Sequence, residues 1–315
     1  MTGALNGKAI VVTGAGRGIG AGVACEAARL GARVIVNDID ADQAERVVAR
    51  IVAAGGQAVA HGGDVADWGV AAALVDLCLA TFTRIDGLVN MAGLFRMGAL
   101  SEMRPDLFDA MFRANIAGTA YCAHHAARPM AAQGRGAIVN VVSGAHMGIP
   151  LMGDYGATKG AVASYTYAWA MELAEAGVRV NAISPMGLTR QVDTTKAYQQ
   201  AHGLPRYHQD PPDPTMNAGA ICYLLSDRAE GISGQIVRIE GSRLSLVAHP
   251  AIAAPVLERD GGWSIDAVAD AFDADLRHRL LPVGIASLEV RPVAGGSAMW
   301  QRDAAAVQDM STSSE

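Results

Sequence analysis

Tyr155 and Lys159 stand four residues apart in Tyr-Gly-Ala-Thr-Lys. On a helix, side chains at i and i+4 share one face and can act on one point. A phenol with a pKa near ~10 is a poor proton carrier at neutral pH. An ammonium ~4 Å away at an effective dielectric of ~20 contributes ~4 kcal/mol, enough to change its acidity about a thousandfold. One lysine could therefore make Tyr155 a working acid or base. The same spacing describes any ordinary pair on a helix surface, so the rest of the chain has to decide.

A second group lies near the N-terminus. Lys8–Thr13 is a short apolar, β-branched run that suits a parallel strand covered on both faces. It enters Gly14-Ala15-Gly16-Arg17-Gly18-Ile19-Gly20, and a helical pattern then runs to a stop at Gly31. A second strand, Arg33–Asn37, ends at Asp38, eighteen residues after Gly20. Glycines let such a turn approach a pyrophosphate, and the helix start offers free N–H groups and a positive dipole end. The acid can accept hydrogen bonds from a ribose diol and repels a 2′-phosphate, so Asp38 predicts NAD rather than NADP. Arg17 pulls weakly the other way.

The elements that must position these groups alternate along the chain. Helices are expected over Asp40–Ala54, Asp67–Phe82 and Pro105–Ala131, and strands over Gln57–His61, Gly87–Val89 and Gly136–Val142. Val178–Ile183 and Gly234–Ile239 complete seven strands, with helices over Tyr155–Glu175 and Asn217–Ser226. Such alternation predicts an α/β fold, a doubly wound parallel seven-stranded sheet of Rossmann type with ligands at the carboxyl ends of its strands. Gly14, Asp38, Asp64, Asn90 and Ser143 all fall at such ends.

Composition narrows the function classes. Of 315 residues 51% are hydrophobic and 18% charged, which excludes wholesale disorder. The net charge of −6 and the lack of a basic run argue against a nucleic-acid partner. Four scattered cysteines without a CxxC pair read as buried thiols of a reducing compartment, and no His/Cys/Asp spacing suggests a metal. Without a signal peptide or a membrane-length apolar run, a soluble cytoplasmic protein is expected.

Taken together, these residues in this order resemble the short-chain dehydrogenase/reductase family over roughly residues 5–245. The matching elements are Thr13-Gly14-x-x-x-Gly18-Ile19-Gly20, Asp64-Val65, Asn90-x-Ala92-Gly93, Asn115, Ser143, Tyr155-x-x-x-Lys159, and Asn181 with Pro185. The resemblance implies that Asp64 and Val65 meet the adenine ring and that Asn90, Ala92 and Gly93 support the cofactor region. It assigns Asn115, Ser143, Tyr155 and Lys159 as the catalytic group. Ser143 would orient the substrate oxygen, Tyr155 would carry the proton, Lys159 would hold the phenolate and the nicotinamide ribose, and Asn115 would position a relay water. A homo-oligomer, dimer or tetramer, is implied by resemblance alone.

Two positions depart from the family pattern. Met91 replaces the second asparagine of its Asn-Asn-Ala-Gly turn, and Pro185-Met186-Gly187 replaces a Pro-Gly pair. Both bear on the seating of the nicotinamide end, for which Pro185, Gly187 and Thr189 are the expected contacts. Residues 184–215 lack periodicity and read as an irregular binding loop. Leu94–Met97, Ala145–Met147, Leu151-Met152 and Met186 are candidate walls of an adaptable apolar pocket, although methionines equally fill gaps in a core. His146 reads as a loop histidine facing solvent or substrate, and His124-His125 as a pair pointing to different sides of a helix. Residues 246–300 form an extension with one helix starting at Ser264, followed by a disordered tail over 301–315.

The expected function is NAD-dependent interconversion of a secondary alcohol and a ketone, in the direction of oxidising a bulky apolar hydroxy compound. Two other readings are a reductase of 3-oxo compounds and a non-catalytic cofactor-binding protein. The second would be marked by loss of Tyr155 or Lys159, and neither is lost.

Overall fold

The first strand, β1 (Ala9–Val12), shows how the sheet is buried. Ala9 and Val11 point into one apolar cluster, and Ile10 and Val12 into another on the opposite face. Both faces of the strand are therefore covered, which is why it reads as an uninterrupted apolar run. The computed structural model describes residues 3–187, 190–205, 211–251, 256–280 and 284–285.

The other strands are β2 (Arg33–Asp38), β3 (Gln57–Gly62), β4 (Gly87–Asn90), β5 (Gly136–Val141), β6 (Val178–Pro185), β7 (Ile236–Glu240) and β8 (Arg243–Val247). They form one sheet in the order β3-β2-β1-β4-β5-β6-β7-β8, parallel throughout except for β8. The order reverses between β1 and β4, the switch point at which a doubly wound sheet opens a crevice. The doubly wound expectation holds, with eight strands where seven were expected. The extra strand turns back on β7 through Gly241, whose φ of +60° suits a tight hairpin. Leu244 and Leu246 of β8 face solvent, so no buried apolar run marked the strand.

Helices cover both faces: α1 (Gly18–Arg29), α2 (Ala41–Ala53), α3 (Trp68–Phe82), α4 (Pro105–Phe112), α5 (Gly118–Ala132) and α6 (Gly153–Glu172). Asp40 caps α2 through the Gln43 N–H, and Asp67 caps α3 through the Val70 N–H. The single long helix expected from Pro105 is instead α4 and α5 joined by a π-helical turn, Arg113–Ala117. Trp68, at the start of α3, meets both His124 and His125, at centroid distances of 4.9 and 4.4 Å. The two histidines thus share one ring partner and do not part to opposite sides.

The expected irregular loop over 184–215 contains a helix, α7 (Arg190–Ala201). Its buried stripe is made by Thr195 and Gln199, polar residues one turn apart, so no apolar period betrayed it. The chain continues with α8 (Ala218–Leu225) and α9 (Ile265–Ala274), the latter capped by the Ser264 hydroxyl on the Ala267 N–H. The tail over 301–315 lies outside the described residues. Among the described residues no helix is long and apolar enough to cross a membrane.

Candidate active site

Tyr155 and Lys159 lie in the first two turns of α6, on its buried face with Thr158, Val162 and Thr166. Tyr155 is 6% exposed and Lys159 5%. The Tyr155 phenol hydrogen-bonds the side chains of Ser143 and Gln191. Ser143 follows β5 and begins a short 3-10 turn, where its hydroxyl also accepts the Ala145 N–H at 3.2 Å. The Lys159 ammonium donates to the Val141 carbonyl at the end of β5, at 2.9 Å.

Burial pushes the Tyr155 phenol up to about 12, against the pull of its two hydrogen bonds. Burial likewise lowers the Lys159 ammonium to about 8. The lysine was expected to acidify the phenol; in the protein by itself, desolvation prevails. The ammonium is 5.7 Å from the centre of the Tyr155 ring and is directed at Val141, so its field does not offset the loss of water.

The π-turn explains the position of Asn115, which is fully buried. Its side chain accepts the Leu94 N–H at 2.7 Å and donates to the Leu94 carbonyl and to Thr158 Oγ1, both at 2.9 Å. It therefore ties the segment after β4 to α6, one residue from Lys159. All these side-chain bonds are made within the protein, so a relay water would have to meet its main chain.

Around the phenol, Phe95 stands edge-on to the Tyr155 ring at 4.9 Å, and Met111, Ala145, Ile149 and Met152 pack against it. Not all the candidate walls converge here. Met147 packs in a separate core cluster, Arg96 is ion-paired with Asp154 at 3.4 Å, and Leu94 and Met186 are largely exposed. His146 folds back, its Nδ1 against the Ser143 carbonyl, and so faces its own loop.

The glycine turn lies across the switch point. Gly14 and Gly18 have φ of +57° and +54°. Gly16 donates its N–H to Asp38 Oδ2 at 2.9 Å, and a Cβ there would stand 2.8 Å from the same oxygen. Ile19 packs against the adjoining core, and a Cβ on Gly20 would meet the Gly14 carbonyl at 2.4 Å. Arg17 is ion-paired with Asp40.

Thr13 Oγ1 receives the N–H groups of Met91 and Ala92, so the turn after β4 is fastened to the end of β1. Met91 needs only its main chain for this, and its side chain packs into the core. A Cβ on Gly93 would crowd Asn115 Oδ1 at 2.9 Å. Asn90 bonds Asn140 at 2.9 Å, but its own Oδ1 is buried without a partner. Asp64 caps its turn through the Ala66 N–H, and Val65 is buried against Gly118. Beyond Pro185, the Met186 carbonyl accepts from Asn217, and Gly187 lies so close to Pro214 that a Cβ would meet its Cα at 3.0 Å. Thr189 lies outside the described residues. Sequence reasoning missed Thr158, Gln191 and Asn217 as partners and quoted Thr13 only as the start of the glycine motif; Thr158 lies inside the Tyr155–Lys159 stretch, whereas Gln191 and Asn217 carried no signal.

A family model described as short chain dehydrogenase matches residues 8–201. The chain belongs to the short-chain dehydrogenase family. It is 36% identical over 244 residues to the 3-oxoacyl-acyl-carrier-protein reductase of Synechocystis sp., covering 76% of this chain and 97% of that protein. Among solved structures, a short chain dehydrogenase from Mycobacterium avium matches with a TM-score of 0.77 and 31% identity, covering 89% of this chain and 98% of the other. NAD+-bound xylitol dehydrogenase matches with a TM-score of 0.68 and 30% identity, covering 76% and 99%. As a member of this family the chain is an oxidoreductase that acts on small molecules with a nicotinamide cofactor. Its glycine cradle fits such a group. Helix α1 has no side-chain cap, so its first N–H groups remain available to a pyrophosphate.

Proposed function

We propose that this protein interconverts a secondary alcohol and a ketone with NAD as cofactor, and that Tyr155 carries the proton. The observation that supports this reading best is the hydrogen-bonded pair of Ser143 and Tyr155, backed by Lys159, beside the open switch point. Gly14, Gly18, Ile19 and Gly20 would admit the pyrophosphate, Asp38 would hold the adenosine ribose, and Asp64 and Val65 the adenine. Asn90, Ala92, Gly93, Pro185 and Gly187 would line the nicotinamide side. When bound, the nicotinamide accepts or supplies the hydride.

Ser143 would hold the substrate oxygen by a hydrogen bond, in line with the Tyr155 hydroxyl. In oxidation the phenolate oxygen of Tyr155 takes the hydroxyl proton; in reduction the phenol gives it back. Lys159 places a positive charge behind the ring and offers its remaining donors to the cofactor ribose. Asn115 keeps the segment after β4 fixed against α6, so that Phe95 shields the phenol from water.

Asp38 supports NAD, since its carboxylate stands where a 2′-phosphate would be repelled and Arg17 is engaged by Asp40. The apolar ring of Phe95, Ile149 and Met152 around Tyr155 supports a bulky, largely apolar alcohol.

The second reading is reduction of a 3-oxo compound with NADH or NADPH. It is favoured by the activity named for the Synechocystis relative. Initial rates with secondary alcohols plus NAD or NADP, and with the matching ketones plus NADH or NADPH, test both readings. Absorbance of the reduced nicotinamide is the readout. Turnover of alcohols with NAD supports the first reading, ketone reduction with a preference for NADPH replaces it by the second, and turnover of neither class contradicts both.

A further inference from the structure

Asn217 closes the 3-10 turn Pro214–Asn217 and is 1% exposed. Its Nδ2 donates to the Met186 carbonyl at 2.9 Å and to the Pro214 carbonyl at 3.0 Å. These bonds fix the direction of the amide and leave its Oδ1 buried, with no partner among the described residues. A buried, unpaired acceptor costs stability that an apolar side chain of the same size would not. Asn217 is thus explained by what its donors hold rather than by core packing. On one side they hold the chain leaving β6. The Met186 N–H donates to the Ile239 carbonyl of β7 at 3.1 Å, so both polar main-chain groups of Met186 are tied. Gly187 then crosses the turn so closely that a Cβ would stand 3.0 Å from Pro214 Cα and 3.3 Å from Asn217 Nδ2. On the other side the turn rests on α1, the helix that starts in the glycine cradle. A Cβ on Gly22 would meet Thr215 Cα at 3.3 Å, and Asp213 accepts the Thr215 N–H and hydroxyl at 2.7 and 2.6 Å. Asn217 joins the two sides.

We propose that Asn217 is a positioning residue for the nicotinamide end of the cofactor, because it sets the Met186–Gly187 segment at a fixed distance from α1. This rests on the reading of Pro185 and Gly187 as the nicotinamide side of the site. Without the Asn217 donors the segment keeps its bond to β7 but is free to lift from the turn, and a nicotinamide ring loses its seat. The places proposed for the pyrophosphate and the adenosine ribose, at Gly14–Gly20 and Asp38, make no use of this bond and keep their geometry. One neutral hydrogen bond given up by the segment corresponds to about a five- to tenfold change in affinity.

The test compares calorimetric dissociation constants for NADH and for ADP-ribose, which lacks the nicotinamide. The unmodified protein, Asn217→Leu and Asn217→Asp are measured; the aspartate keeps the shape of the side chain and replaces its donors by acceptors. Melting temperatures verify folding. The parent is expected to bind NADH more tightly than ADP-ribose. Each folded variant should narrow that ratio by about five- to tenfold, with ADP-ribose affinity unchanged. A parent ratio of one, a ratio that a folded variant leaves unchanged, or equal losses for both ligands overturns the proposal and leaves the cofactor reading intact. Failure of both variants to fold also overturns it, since Asn217 then serves the fold alone. A parent that binds neither ligand contradicts the NAD reading, and the proposal falls with it.

Discussion

Lys159 donates to the Val141 carbonyl at 2.9 Å while its ammonium stands 5.7 Å from the centre of the Tyr155 ring. The charge is therefore moored to the end of β5, behind the phenol rather than on it. It pays for that position in desolvation, which lowers it from an ordinary 10.5 to about 8. The folded protein binds this proton less tightly than the unfolded chain, so the penalty is full below pH 8 and vanishes as pH rises towards 10.5.

From that difference the buried charge costs about 3 kcal/mol at neutral pH. Lys159→Met removes this cost and leaves the Val141 carbonyl without a donor, which returns about 1 kcal/mol. The variant is expected to be inactive yet more stable by about 2 kcal/mol at pH 7, with the gain fading at higher pH. Urea unfolding from neutral to alkaline pH checks this. A variant less stable than the parent at neutral pH would place Lys159 among the stabilising residues.

Asp38 is held by the Gly16 N–H on one oxygen and the Asp40 N–H on the other, at 2.9 and 3.1 Å. Its charge is thus fixed at the end of β2. Asp38→Ser keeps a hydroxyl for the ribose and removes the repulsion. The ratio of kcat/KM for NAD over NADP is expected to fall at least tenfold, about 1.4 kcal/mol. If the parent already prefers NADP, the cofactor assignment fails.

Asn115 supplies both main-chain partners of Leu94 and one to Thr158. Asn115→Leu is expected to cost about 2–4 kcal/mol of stability, because the Leu94 N–H, the Leu94 carbonyl and the buried Thr158 hydroxyl each lose a hydrogen-bond partner. It should also lower kcat more than NAD affinity, since Phe95 loses its mooring over Tyr155. Calorimetry together with steady-state kinetics separates the two effects.

Much of this was legible in the residues because single letters carried geometry. Val11 between Ile10 and Val12 announces a strand covered twice, and Gly14, Gly18 and Asp38 announce a turn facing an acid. What escaped was encoded in polar contacts or exposed edges. Helix α7 buries Thr195 and Gln199, which no apolar pattern reveals, and β8 exposes Leu244 and Leu246. The π-turn at Asn115 aims its side chain at Leu94, a partner 21 residues away, which no local pattern reveals. The phenol's acidity was misjudged for a related reason: spacing brings Lys159 near, but the depth of burial that decides the balance belongs to the assembled fold.

Replacing Tyr155 by phenylalanine tests the central claim most directly, because only the hydroxyl is removed. Calorimetric titration with NAD should give a dissociation constant close to that of the parent. Turnover of the best alcohol or ketone should fall by about a hundredfold to ten-thousandfold, the usual contribution of a positioned acid–base group. A Tyr155→Phe protein that binds NAD and turns over at near-parental rate would contradict the account.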